Sequence, residues 1–201
     1  TSTGASSPAF VTVFDAVGNH ATAPAVFFVL DPTNPVITPA PGWTNLPAPN
    51  FWVNGTGTLW FSPWTTGTVT VDLSVNLLDT ISGLKNATAS AAPSLAGGPF
   101  YGQPTNLGGV TDYPGWTATY AFNGSSTAAS SPVAVKACDE VSNCATASFP
   151  FALDATPPVV TILAPASGQA LSGRTIVAAK ATDVGSGVAG PLQVEVLGQA
   201  P

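Results

Sequence analysis

Charge is what this sequence has least of. Fourteen of its 201 residues are Asp, Glu, Lys or Arg, or 7%, against roughly 25% in an ordinary soluble domain. Four are cationic and the net charge is −6, so no electrostatic footprint exists for a phosphate backbone and no nucleic-acid partner is expected. Methionine is absent and histidine occurs once, as His20. That histidine occupies a hairpin position whose counterpart in an internal repeat is Cys144, so no Ser-His-Asp triad is expected, and one histidine is too few for a histidine-rich metal site. Strong helix formers are scarce while glycine and proline number 20 each, which excludes a helical protein. The longest apolar run, residues 24–30, falls far short of the ~18 residues a membrane span needs. The two glutamates, Glu140 and Glu195, have no carboxylate partner at a spacing suited to glycoside hydrolysis. Ser82 and Lys85 match the S-x-x-K pattern of penicillin-recognising enzymes, but no K-T-G or S-D-N partner accompanies them. No glycine-rich phosphate loop ends in Lys. The expectation is that the chain is not an enzyme.

Serine and threonine are abundant, 42 residues together, and 45% of the chain is hydrophobic. The apolar residues alternate, which argues against disorder. Val69, Val71, Leu73, Val75 and Leu77 lie at period two between polar residues, the mark of a half-buried strand. Val133, Val135 and Ala137 repeat the pattern, as do Trp116, Tyr120 and Phe122. Many short strands punctuated by Pro and Gly predict a β-sandwich. The only cysteines, Cys138 and Cys144, are too few for a zinc site and flank a predicted hairpin turn. They read as a disulfide, which points to a secreted or cell-surface setting. Residue 1 is Thr with no charged, apolar leader after it, which reads as a processed chain or a piece of a longer one.

Self-similarity organises the chain. Residues 2–23 align with 126–147 at an offset of 124, with 13 of 22 positions identical. Asp15, Val17 and Asn19 match Asp139, Val141 and Asn143, while Phe14 and His20 stand where the second copy has its cysteines. After a one-residue slip, Leu30, Asp31, Thr33, Pro35 and Val36 match Leu153, Asp154, Thr156, Pro158 and Val159. At an offset of 104, Asp79, Ser82 and Gly83 match Asp183, Ser186 and Gly187. The division expected is a closing hairpin over residues 1–30, one complete module over 31–153, and the opening strands of another over 154–201. The two end segments are complementary, and joined they would make one further module. They read either as the cut ends of a repeat array or as halves that close between copies of the chain by strand donation.

The order Leu-Asp-x-Thr-x-Pro-x-Val, then Asp-x-x-Ser-Gly-Val, then Asp-x-x-Gly-Asn in a hairpin resembles the bacterial immunoglobulin-like repeats of large secreted adhesins and surface fibres, with hyalin-type repeats as near relatives. Thr156-Pro157-Pro158-Val159 and the hairpin of Asp15, Gly18 and Asn19 follow the pattern. Ser142 replaces the glycine of the second hairpin, and residues 43–67 have no counterpart in the third unit. The resemblance implies immunoglobulin-like sandwiches in tandem, a fibre, filament or stalk function, and other copies or adjacent repeats as partners. It also implies calcium, since aspartates near module junctions bind it in such adhesins. Six of the eight aspartates recur at motif positions: Asp15, Asp31, Asp79, Asp139, Asp154 and Asp183. Each is equally suited to capping a turn. The insertion holds Trp43, Trp52, Trp60 and Trp64, four of five tryptophans. They are candidates for a subunit contact or a sugar platform, or for an extra hairpin that buries its rings as core. Three N-x-S/T sequons, at Asn54, Asn86 and Asn123, are candidate glycosylation sites.

Overall fold

The computed structural model describes residues 7–63, 67–91, 97–126 and 132–194. Among these the chain is all β, with no helix. Four short strands open it: β1 (Ser7–Ala9), β2 (Thr12–Phe14), β3 (His20–Thr22) and β4 (Val26–Phe28). Eleven follow without a long break: β5 (Val36–Thr44), β6 (Phe51–Val53), β7 (Leu59–Phe61), β8 (Val69–Leu78), β9 (Leu84–Ala89), β10 (Gly97–Tyr101), β11 (Asn106–Val110), β12 (Asp112–Phe122), β13 (Val133–Asp139), β14 (Cys144–Phe149) and β15 (Phe151–Leu153). Strands β16 (Val159–Ala164) and β17 (Ala178–Thr182) end it.

The middle strands form two four-stranded antiparallel sheets, in the orders β10-β12-β8-β5 and β11-β9-β13-β14. One hydrophobic core joins them, as in a β-sandwich. The alternation of β8 is carried out literally: Val71, Leu73, Val75 and Leu77 are fully buried, while Asn76 and Leu78 face outward. Trp116, Ala118, Tyr120 and Phe122 of β12 and Val133, Val135 and Ala137 of β13 supply the facing layers. Strands β6 and β7 make a hairpin to which β15 adds in parallel, and Phe51, Leu59, Phe61 and Phe151 close one end of the core. Phe122 meets Phe51, Phe61 and Phe151 edge-on there, with centroids 4.9–6.2 Å apart.

Among the described residues, every buried hydrophobic one falls between Trp43 and Phe151. The flanks are two-stranded ribbons, β1 with β4, β2 with β3, and β16 with β17. Of the exposed large hydrophobics, Phe10 through Leu30 contribute ten and Val159 through Val194 eleven. Yet two of the three, β16–β17 and β2–β3, copy pairings of the middle partner for partner. In β16–β17 the partners are Val159 with Thr182, Val160 with Ala181, Thr161 with Lys180 and Ile162 with Ala179. In β5–β8 the corresponding partners are Val36 with Leu78, Ile37 with Leu77, Thr38 with Asn76 and Pro39 with Val75. Likewise Thr12–Thr22, Val13–Ala21 and Phe14–His20 reproduce Lys136–Thr146, Ala137–Ala145 and Cys138–Cys144.

Candidate functional site

The aspartates are placed by turns. Asp139 ends β13, and its Oδ1 accepts the N–H groups of Val141 (3.0 Å) and Asn143 (2.8 Å), while Oδ2 accepts Asn143 Nδ2 (2.8 Å). The side chain replaces ladder bonds across the tip of the hairpin, the local role for which Asp is favoured in turns. Asp79 does the same after β8, its Oδ1 accepting from the N–H groups of Ile81, Ser82 and Gly83 at 2.9–3.1 Å. Asp31 caps its own turn through Thr33 N–H and Oγ1, and its Oδ2 accepts Ser82 N–H at 3.0 Å across the module. Asn143 Nδ2 in turn donates to the Asp31 carbonyl at 2.9 Å. Three segments far apart in sequence are thereby latched together.

At the latch the carboxylates of Asp31, Asp79 and Asp139, all buried, offer oxygens within 4.8 Å of one another. Asp79 Oδ2 is buried with no hydrogen-bond partner. The Asp31 carboxyl is held at about 2, below its ordinary value, by the Thr33 hydroxyl foremost and then by Ser82. Carboxylate oxygens suit a hard cation such as Ca²⁺, which takes further ligands from carbonyl oxygens and water. The three carboxylates could therefore hold a metal ion.

The six recurrent aspartates do not gather at one site. Asp154 and Asp183 build a second, partial latch: Asp154 Oδ1 caps Thr156 N–H and Oγ1, its Oδ2 accepts Ser186 N–H at 2.6 Å, and Asp183 Oδ1 accepts from Gly185 and Gly187. Ser186, followed by the N–H groups of Ser186 and Thr156, draws the Asp154 carboxyl down to about 2. Asp15 stands alone on the exposed hairpin of β2 and β3. It caps Val17 and Asn19 as Asp139 caps Val141 and Asn143, and Asn19 lowers its pKa.

A cleft of about 230 Å³ opens at the partial latch, with Asp154, Asp183, Ser186, Gly187, Trp52 and Trp60 among its lining. Trp52 is 45% exposed and Trp60 half-buried, with its indole N–H lacking an acceptor. Trp43 cannot belong to a surface platform: it is 5% exposed, paired with Leu73 across β5–β8, and meets Tyr120 and Phe151 edge-on. Its apolar ring sits where the sandwich needs filling. Trp64 lies outside the described residues. Of the sequon asparagines, Asn54 and Asn123 cap turns through Oδ1 and Asn86 sits within β9; all three are half-buried. Cys138 and Cys144 are joined in a disulfide with their Cα atoms 4.1 Å apart. In the first hairpin the equivalent Phe14 and His20 rings are in contact, with centroids 5.6 Å apart.

Thr33, Ser82 and Asn143, repeat positions to which sequence reasoning assigns no role, donate to the latch aspartates. The signal was available, since each recurs as Thr156, Ser186 and Asn19. Among the described residues no helix is long and apolar enough to cross a membrane. Comparison with known protein families, with curated proteins and with solved structures finds no match for this chain.

Proposed function

We propose that this protein is an extracellular structural module, a unit of a surface fibre, filament or adhesin stalk built of immunoglobulin-like sandwiches in tandem. The observation that carries this reading is the repetition of pairing register: the β2–β3 and β16–β17 ribbons each reproduce a strand pair of the middle sandwich, partner for partner. A chain that repeats one sandwich along its length makes a rod, in which each unit contacts its neighbours. The disulfide agrees with an oxidising, extracellular setting. No catalytic constellation enters the proposal. Calcium at Asp31, Asp79 and Asp139 would stiffen the latch between segments.

A second reading, carbohydrate binding, is favoured by one feature: Trp52 and Trp60 line a cleft that also holds Asp154 and Asp183. Two measurements separate the readings. Light scattering over a concentration series should show growing linear multimers for a fibre unit. Tryptophan fluorescence titrated with polysaccharides should stay flat. A saturable shift that disappears in Trp52→Ala, with no change in mass, would replace the structural reading by the sugar-binding one.

A further inference from the structure

Resting on the fibre reading above, we infer that the cleft at Asp154 and Asp183 is the socket for the β2–β3 hairpin of a second copy of this chain. Asp15 and Asn19 of the incoming copy take the places that Asp139 and Asn143 hold in the middle sandwich.

The middle sandwich is the template. There the hairpin tip touches the two earlier turns by two named bonds, Asn143 Nδ2 to the Asp31 carbonyl and Glu140 N–H to the Gly83 carbonyl at 3.0 Å. The acceptors have equivalents in the C-terminal ribbon, the Asp154 and Gly187 carbonyls, and the donors have equivalents in the N-terminal hairpin, Asn19 Nδ2 and Ala16 N–H. Donors and acceptors are present in one chain, on opposite flanks of the middle sandwich in sequence. The preformed part of the socket is already in working order, since Asp154 accepts from Ser186 and Thr156 as Asp31 accepts from Ser82 and Thr33. The hairpin is preformed too, with each bond of the Asp139 cap matched at Asp15.

The apolar surfaces agree with the polar ones. Val135 and Leu84 are fully buried in the middle sandwich, whereas their equivalents Val11 and Val188 are 64% and 45% exposed. Burying such faces is the dominant driving force available to a chain with so little charge. In the middle sandwich β13 pairs with β9 through Val135–Ala89, Lys136–Thr88, Ala137–Ala87, Cys138–Asn86 and Asp139–Leu84. Carried over at the two offsets, these become Val11–Gln193, Thr12–Leu192, Val13–Pro191, Phe14–Gly190 and Asp15–Val188. Proline at 191 agrees with this pairing. The N–H of its equivalent, Ala87, donates to the Thr105 carbonyl on the side away from β13, so a residue without an N–H costs the hairpin side of the ladder nothing. Because donor and acceptor faces differ, the contact is heterologous and each copy can receive one hairpin and give another.

Cross-linking of the full chain tests the register. Thr12 and Leu192 are both exposed and their equivalents are direct cross-strand partners, a separation within the range a disulfide spans. Mixing the single variants Thr12→Cys and Leu192→Cys under mild oxidation should give a covalent heterodimer at least tenfold faster than mixing Thr12→Cys with Gln193→Cys, where the register is off by one. The double variant should give a ladder of multimers on a non-reducing gel. Equal rates in the two mixtures, or none, would overturn the inference, as would a double variant that closes within one molecule. If wild-type chains still form multimers in light scattering while the cross-link fails, the socket is wrong and the fibre reading stands. If wild-type chains stay monomeric at every concentration and no cross-link forms, both fall.

Discussion

Replacing Asp79 by Asn should stabilise the protein without divalent cations and destabilise it, relative to wild type, when calcium is supplied. The carboxylates of Asp31, Asp79 and Asp139 lie within 4.8 Å of one another, and like charges at that distance repel by about 3.5 kcal/mol per pair at an effective dielectric near 20. The substitution would remove two of the three pairs. The side-chain oxygen of the new amide would keep the three backbone N–H bonds now made by Asp79 Oδ1, each weakened by about 1 kcal/mol as the acceptor loses its charge. The amide N–H group would fill the place of the orphaned Oδ2 and donate toward the remaining carboxylates. The balance is a gain of roughly 2–4 kcal/mol, or on the order of 5–10 °C in Tm for a unit of this size. Thermal melting in EDTA reads it directly. Calcium reverses the order, because the wild-type trio offers a third charged ligand and ligation at 100 times Kd adds about 2.7 kcal/mol. A variant that melts below wild type in EDTA would refute the argument from repulsion. Equal calcium-induced shifts in the two proteins would show that the trio is not where calcium acts.

Other outcomes follow from single features. Ser142 holds φ at +75° where the first hairpin has Gly18 at +90°, so Ser142→Gly should raise stability by about 1 kcal/mol, measured by urea denaturation. Asp31 and Asp154 are held at about 2 against an ordinary 3.8. Their contribution is complete above pH 4 and is lost as pH falls from about 4 to 2, so an acid titration followed by fluorescence should show the loss confined to that window. Trp43→Ala should cost about 3–5 kcal/mol because it empties the core, whereas Trp52→Ala should leave Tm nearly unchanged. Reducing the Cys138–Cys144 bond should cost at most about 2–2.5 kcal/mol by loop entropy, seen as a lower denaturant midpoint in the presence of a reductant.

Much of the strand content was legible because alternation is a local signal. Val71 to Leu77 and Val133 to Ala137 announce their buried face without reference to anything distant. The repeat carried more, since it identified Asp15, Asp31, Asp79, Asp139, Asp154 and Asp183 as one recurrent set. What it did not carry was their grouping. That Asp31, Asp79 and Asp139 converge depends on the crossing of turns 48 to 108 residues apart in sequence, which only the tertiary fold decides. The tryptophans were the other ambiguity. Trp43 and Trp52 stand in similar company along the chain, yet one lies in a strand paired to the centre of a sheet and the other on the open face of a short hairpin. Ring count does not reveal which side of a strand faces water. Ser142 shows the converse case, where a position that calls for glycine is filled by another residue because neighbouring bonds hold the turn.

The polar latch has a consequence for specificity that the apolar core alone could not supply. Hydrophobic burial is non-directional, and the strands that close the sandwich, β13 and β14, present mainly small apolar side chains such as Val135, Ala137 and Ala147. A two-residue slip would leave the same face inward and lose little buried area. The bond from Asn143 to the Asp31 carbonyl tolerates no such slip, since a shift of two residues moves the donor by about 7 Å. Register is therefore set by the hairpin tip and strength by the sheet behind it. Exchanging Asn143 for Ala separates the two contributions: the variant should lose register fidelity and cooperativity before it loses bulk β structure. A sharp, merely downshifted melting transition in Asn143→Ala would mean that the core selects the register unaided.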